Sequence, residues 1–132
     1  MKYKVIQAND SYAAIGTYSQ AIQFNDTVYI SGIIGISPET LELCSNNFTD
    51  QAYQMFKNLQ AVCKAANGDL GHLVKITLYL TDLSKFAEIN QIMQELFSEP
   101  FPARASIEVS ALPKGALIEV DGCLLYTSPS PR

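Results

Sequence analysis

Arg104 is the residue of this sequence that most clearly requires a partner. It is the only arginine before the last residue, Arg132, and it lies among small and apolar side chains in residues 101–109. A guanidinium in such surroundings needs an anion, because an unpaired charge close to a core is unfavourable. That anion is either a carboxylate of the chain itself or one carried by a substrate.

Two strand-like segments carry the groups that could take part, residues 103–109 and 116–121. Alternation predicts that Arg104, Ser106 and Glu108 point away from a helix-covered core, and Glu119 and Asp121 likewise. If a simple hairpin joins the two segments, Arg104 is opposite Asp121 and Ser106 is opposite Glu119. One guanidinium, one hydroxyl and two carboxylates would then share one patch.

This patch has two interpretations. The first is an Arg–carboxylate pair on a partly exposed sheet face, which contributes only about 0–1 kcal/mol to stability. The second is a bidentate clamp in which Arg104 binds a substrate carboxylate while Glu119 positions or activates water. No Ser-His-Asp or Cys-His arrangement competes, because His72 is the only histidine.

The surrounding pattern predicts the elements that must position these groups. Strands are predicted over residues 2–7, 21–24, 28–34, 73–80, 103–109 and 116–121. One helix should run from an N-cap at Thr49 to a stop at Asn67 and Gly68, and a second should follow a cap at Asp82 or Ser84. Gly32, inside an apolar strand, predicts a bulge or a close approach to the backbone.

This order predicts an α+β fold, a mixed sheet with both helices on one face. In residues 73–80, Val74 and Ile76 are predicted to face the core. Lys75, Thr77 and Tyr79 are predicted to face the uncovered side. That second sheet face favours a homo-oligomer with a site between subunits.

Composition narrows the classes of function. The 132 residues carry 13 acidic and 9 basic side chains, net charge −4, with no basic stripe, so nucleic acid is not an expected partner. No apolar run approaches membrane-spanning length and no secretory leader is visible, so no membrane partner and a cytoplasmic location are expected, with an organelle as the alternative. Three widely spaced cysteines and one histidine predict a reduced protein without a metal.

Residues 122–132 break the alternation and end in Ser-Pro repeats. They resemble the translation of a sequencing adapter, so we predict a single domain over residues 1–121 followed by a non-native tail. The alternative is a natural, disordered Pro/Ser tail.

Four segments together resemble the RidA family, also called YjgF/YER057c: residues 14–21 (AIGTYSQA), 28–32 (VYISG), 101–104 (FPAR) and 112–120 (LPKGALIEV). The resemblance extends from about residue 3 to residue 121. It implies a homotrimer of chorismate-mutase-like α+β domains with sites in the clefts between subunits.

The resemblance also implies an activity. Family members are deaminases that hydrolyse reactive 2-imino and 2-enamino acids, such as 2-iminobutanoate and 2-iminopropanoate, to 2-oxo acids and ammonia. No cofactor is implied, and the substrates come from pyridoxal-phosphate-dependent dehydratases. A non-catalytic member that binds 2-oxo acids or regulates a partner is the alternative. The RNA-cleaving activity of some relatives is disfavoured by the negative charge.

The roles of individual residues follow from the same resemblance. Arg104 matches the arginine that binds the substrate carboxylate, and Glu119 matches the carboxylate that handles water. Three further residues match positions that line the cleft, Tyr18, Gly32 and Asn90.

Ser106 stands where a cysteine is frequent in the family. From residue type alone, Tyr18 could equally be a packing aromatic and Asn90 a surface residue. The sequence departs from the family pattern at Ile33, where glutamine is common, and at Thr17, where proline is usual. Both departures raise the possibility of an altered cleft wall or loop.

Overall fold

The computed structural model describes residues 3–125, in the order βββαβαββ predicted from the sequence. The elements are β1 Tyr3–Ile6, β2 Ala21–Phe24, β3 Thr27–Ile34, α1 Phe48–Ala65, β4 Leu73–Leu80, α2 Phe86–Leu96, β5 Ala103–Glu108 and β6 Ile118–Leu125. Single 3-10 turns precede β4, α2 and β6.

The six strands form one mixed sheet in the order β1-β2-β3-β6-β4-β5. β4 and β5 are parallel, because α2 carries the chain back across the sheet between them, and every other pair is antiparallel. The predicted hairpin of the last two strands is therefore wrong. β4 lies between β5 and β6, so Arg104 is not opposite Asp121 and Ser106 is not opposite Glu119.

The N-cap of helix α1 lies two residues earlier than predicted. The side chain of Asn47 accepts a hydrogen bond from the Asp50 amide at 3.0 Å, which satisfies one of the free N–H groups of the first turn. Thr49 lies inside that turn, and its hydroxyl donates to Glu88 of α2 instead. The predicted stop is confirmed, with Asn67 in the left-handed region at φ 66°.

Both helices pack side by side on one face of the sheet, as predicted. The rings of Phe56 in α1 and Phe97, just after α2, meet edge to face with centroids 5.6 Å apart. Tyr53 of α1 donates to Glu95 of α2 at 2.7 Å. The core lies between this helical layer and the sheet, which confirms the α+β class.

No helix of residues 3–125 covers the opposite face of the sheet. Thr77 and Tyr79 lie on it as predicted, whereas Val74 does not join the core, because a register shift between Leu73 and Lys75 leaves it 51% exposed. Exposed apolar side chains extend across this open face from β1 to β5: Tyr3, Val5, Phe24, Tyr29, Ile107 and Leu125. Exposed apolar surface of this extent is typical of an interface.

Strand β6 continues four residues beyond its predicted end. Leu124 is fully buried and pairs with Val28 of β3. Residues 122–125 therefore belong to the sheet, and the rest of the predicted non-native tail lies outside the described residues. Within residues 3–125, no helix combines the length and the apolar composition needed to cross a membrane.

Candidate functional site

Arg104 lies on the helical face of β5, not on the open face that alternation predicted. It is in register with Ile76, a fully buried residue of β4, so both side chains leave the sheet on the same side. β5 is the edge strand, and the Arg104 side chain extends along α2 instead of entering the core. Its Cζ lies 5.0 Å from the ring centroid of Phe86, and its Nη1 donates to the sulfur of Met93 at 3.3 Å.

A second feature of the guanidinium is that it lacks an acidic partner among the described residues. Within residues 3–125, no carboxylate oxygen lies within 4.0 Å of Arg104. Two carboxylates predicted to share its patch are engaged elsewhere: Asp121 accepts from the Tyr79 hydroxyl at 2.9 Å, and Glu108 accepts from the Leu83 amide at 2.9 Å. Partial burial lowers the pKa of Arg104, but an arginine remains charged. The interpretation as a structural ion pair is therefore wrong.

An open cleft of about 630 Å³ borders this guanidinium, and we call it the Arg104 cleft. Asn90 on α2 shares the cleft with Arg104, together with Phe101 and Pro102. Ser106 lies two residues further along β5 on the same face, and its buried Oγ has no hydrogen-bond partner. Hence Arg104, Asn90 and Ser106 lie on the same side of the sheet, beside α2.

On the open face, Gly32 and Glu119 meet at a bulge in β3. The register with β6 shifts between Ile30 and Ile33, so that Ser31 and Gly32 together oppose one residue. A side chain at position 32 could not coexist with the carboxylate of Glu119: an added Cβ would lie 2.9 Å from its Cδ and closer still to its Oε2. Both predictions for Gly32, a bulge and a close approach, are confirmed.

The environment of Glu119 favours its neutral form. Burial raises the pKa of Glu119, and the charge of Asp121 raises it further. No basic group within 4.0 Å compensates among residues 3–125. A carboxyl group with a raised pKa is suited to exchanging protons with water or substrate near neutral pH.

A second cleft, of about 350 Å³, contains this carboxylate, and we call it the Glu119 cleft. Tyr18 and Gly32 line it beside Glu119. The Tyr18 hydroxyl accepts from the Ile15 amide at 3.3 Å, and its own proton remains available to a ligand. Ile33, which raised doubt about the cleft wall, pairs with Val120 and is buried in the core.

Sequence reasoning missed the residues that build the wall of the Glu119 cleft. Burial raises the pKa of Tyr12 to about 12, and its oxygen accepts from the Ile34 amide at 2.9 Å. Gln20 donates to the Tyr12 carbonyl at 2.7 Å, and Ser31 donates to the Ser19 carbonyl at 2.6 Å. These bonds fix the irregular segment 8–20 over β3. The only sequence signal for these wall residues is that segment 8–20 is rich in small and amide side chains and shows no helical or strand periodicity.

The two clefts share no lining residue and open on opposite faces of the sheet. Arg104 and Glu119 are two strands apart and offset by three residues in register. Strand spacing and rise then place their Cα atoms roughly 14 Å apart. A single chain therefore brings Arg104 and Asn90 together in one cleft, with Ser106 on the same face of the sheet, and separately Tyr18, Gly32 and Glu119. It does not unite the two groups. Residues 3–125 contain no cluster of three or more potential metal ligands.

Comparison with known proteins defines the class and then the family. The sequence model described as Endoribonuclease L-PSP matches residues 8–124. RutC family protein y4sK of Sinorhizobium fredii is 48% identical over 122 residues, 92% of this chain and 97% of that protein. The human protein named 2-iminobutanoate/2-iminopropanoate deaminase is 42% identical over 118 residues, 89% of this chain and 86% of that protein.

A solved structure shares the whole architecture. RidA from the Antarctic bacterium Psychrobacter superposes with a TM-score of 0.89 at 48% identity, covering 92% of this chain and 98% of that one. The fold is thus that of small α+β proteins with a six-stranded mixed sheet and two helices. The chain belongs to the RidA/YjgF family.

Proposed function

We propose that this protein is a hydrolytic deaminase that converts small 2-imino or 2-enamino acids, such as 2-iminobutanoate and 2-iminopropanoate, to 2-oxo acids and ammonia. The observation that carries the proposal is the guanidinium of Arg104, which borders an open cleft without a carboxylate partner. A relative 42% identical to this chain is named for this reaction. No cofactor is part of the proposal, and pyridoxal-phosphate-dependent dehydratases would supply the substrates.

The proposed active form is a homotrimer in which the Arg104 cleft of one copy faces the Glu119 cleft of the next. Two observations support an assembly of this kind. The open sheet face carries exposed apolar side chains that a partner would cover. The groups needed for the reaction are divided between opposite faces of one chain, so a complete site requires two copies.

Arg104 is proposed to bind the carboxylate of the substrate. A guanidinium offers two parallel N–H donors that match a carboxylate in a bidentate pair. Asn90 in the same cleft adds a neutral donor, whereas the buried Ser106 hydroxyl does not line the cleft. In an acidic chain, the guanidinium of Arg104 gives an anionic substrate one preferred point of attachment.

Glu119 is proposed to manage the protons of the hydrolysis. Its carboxylate takes a proton from water while the oxygen bonds to C2 of the imine, and the C=N double bond becomes a single bond. It then returns the proton to the nitrogen, which gives a carbinolamine with a C2 hydroxyl and an amino group. In the second half Glu119 moves the hydroxyl proton to the amino nitrogen, the C–N bond breaks, and ammonia leaves as the C2 oxygen becomes a carbonyl. The burial that raises the pKa of Glu119 supports both halves of this exchange, and Tyr18 can orient the oxygen.

The test couples the protein to a reaction that releases its substrate. A threonine or serine dehydratase generates 2-iminobutanoate or 2-iminopropanoate, and the rate of 2-oxo acid formation is followed with the protein present and absent. Wild-type protein should accelerate the step after imine release. Binding of 2-oxobutanoate without any acceleration would contradict the deaminase and would support a non-catalytic ligand-binding protein.

Two variants distinguish a specific role of Arg104 in binding the substrate carboxylate from a general effect of net charge. Arg104→Ala should abolish acceleration, since the substrate carboxylate loses its only cationic partner in the cleft. Lys57→Ala removes one exposed positive charge from α1 and should leave the rate unchanged. An Arg104→Ala variant as active as wild type would eliminate the proposed role of Arg104.

A further inference from the structure

Two residues of α2 contact the guanidinium of Arg104, one through an aromatic ring and one through a sulfur atom. The ring of Phe86 lies under Cζ with its centroid 5.0 Å away, and the sulfur of Met93 accepts a hydrogen bond from Nη1 at 3.3 Å. Resting on the proposed function, we propose that Phe86 and Met93 are positioning residues that fix the guanidinium for a substrate carboxylate.

The location of Phe86 is informative because its apolar side chain does little for the core. It opens α2 and falls in the apolar stripe of that helix, yet it is 43% exposed. Ile89, Ile92 and Met93 form the buried side of the helix instead. The face of the Phe86 ring is therefore available to Arg104, and this contact accounts for an aromatic side chain at an exposed position.

These two contacts differ from an ion pair because they hold the guanidinium without neutralising its charge. A carboxylate would fix the guanidinium but would also neutralise its charge and occupy its N–H donors. An aromatic face attracts a cation through its quadrupole, and a thioether is a weak acceptor, so neither neutralises the charge. The long, flexible side chain is thereby held in place while the remaining donors are free for an anion.

The effect of positioning Arg104 can be measured from the dependence of the hydrolysis rate on substrate concentration. A clamp that binds the carboxylate equally in ground and transition states affects KM more than kcat. Phe86→Leu, which keeps an apolar side chain but removes the aromatic face, should raise KM by about 3- to 10-fold with kcat nearly unchanged. Met93→Leu, which keeps the volume but removes the acceptor, should raise KM by about 2-fold.

Two further variants act as controls. Phe86→Tyr retains the aromatic face and should restore wild-type KM. Leu96→Ala shortens another exposed apolar side chain of the same helix, one that does not line the Arg104 cleft, and should leave KM unchanged. Thermal unfolding of every variant is recorded at one protein concentration, so that a loss of folded protein appears as lower kcat and a lower melting temperature.

The outcomes separate this proposal from the proposed function. A raised KM in Phe86→Leu that is restored in Phe86→Tyr supports positioning, whereas unchanged kinetics, or lower kcat at unchanged KM, overturns it. If wild-type protein does not accelerate imine hydrolysis, the deaminase is overturned. In that case the positioning proposal is tested by calorimetric titration with 2-oxobutanoate. A Kd for 2-oxobutanoate about 3- to 10-fold higher in Phe86→Leu than in wild type supports positioning. An equal Kd, or no binding by wild type, overturns it.

Discussion

Gly32→Ala should remove activity without removing the fold. The added Cβ would lie 2.9 Å from Cδ of Glu119 and closer still to Oε2, a distance that real Cβ contacts do not reach. The obstructing group is the end of a flexible side chain, so the chain can relieve the clash by rotating the carboxylate away. The backbone of Gly32 is not in the left-handed region, and alanine is therefore compatible with it.

The expected magnitudes follow from this geometry. Glycine-to-alanine changes at compatible positions stabilise proteins by about 0.4–1 kcal/mol, because alanine lowers the conformational entropy of the unfolded chain. This gain offsets the loss of stability caused by moving the Glu119 carboxylate. The melting temperature should therefore stay within about 4 °C of wild type. A catalytic group displaced by about 1 Å typically lowers the rate on the order of 100-fold, and kcat for imine hydrolysis should fall by about 10- to 100-fold.

Two matched glycine variants complete the test. In Gly68→Ala the nearest neighbours of the added Cβ are side-chain atoms of His72 and Leu124 at 3.4 Å, so this variant should melt at or slightly above the wild-type temperature and keep the wild-type rate. The Cβ added by Gly35→Ala would lie 2.5 Å from the backbone oxygen of Gln51, and a backbone atom cannot rotate away. The Gly35→Ala protein should therefore unfold at a clearly lower temperature than wild type. A Gly32→Ala protein with wild-type kcat and an intact fold would refute the requirement for Glu119 over the β3 bulge.

Three further predictions concern stability. The pKa of Glu119 is raised in the folded state, so ionisation of Glu119 lowers the stability of the fold as pH rises through that pKa. At about pH 8 the melting temperature of Glu119→Gln should therefore be higher than that of wild type. Below the unfolded-state pKa of about 4.3 the two proteins should melt at the same temperature. Asn58→Leu should lower the free energy of unfolding by about 2–4 kcal/mol in urea titration, since the buried amide donates to the carbonyls of Ile34 and Ile36 at 3.1 and 2.9 Å. Asn47→Ala should lower it by about 1 kcal/mol through loss of the α1 cap. Wild-type stability in either of the last two would contradict the assigned hydrogen bonds.

The sequence was sufficient for the elements and their order, because hydrophobic periods and turn residues are local signals. The stripe of α1, the alternation of β4 and the Asn67 stop each depend on residues within one element. Gly32 was also predictable, since a glycine between apolar strand residues has few other uses.

The faces and neighbours of the last two strands were not predictable in this way. Alternation fixes which side chains share a face, but not which of the two faces the helices cover at an edge strand. Arg104 was assigned to the open face because the residues that alternate with it, 103, 105 and 107, were expected to face the core. The structure instead places its side chain along α2, in contact with a ring and a sulfur. The insertion of β4 between β5 and β6 is a long-range pairing without a local signal.

The central proposal is that one complete site contains Arg104 from one copy and Glu119 from another. The most direct measurement mixes two variants that are inactive alone, Arg104→Ala and Glu119→Ala, by refolding them together and assaying imine hydrolysis. In randomly mixed oligomers about a quarter of the clefts would pair an intact Arg104 with an intact Glu119, so about a quarter of wild-type activity should return. Mixed oligomers, verified by mass, that remain as inactive as either parent would contradict a site shared between copies.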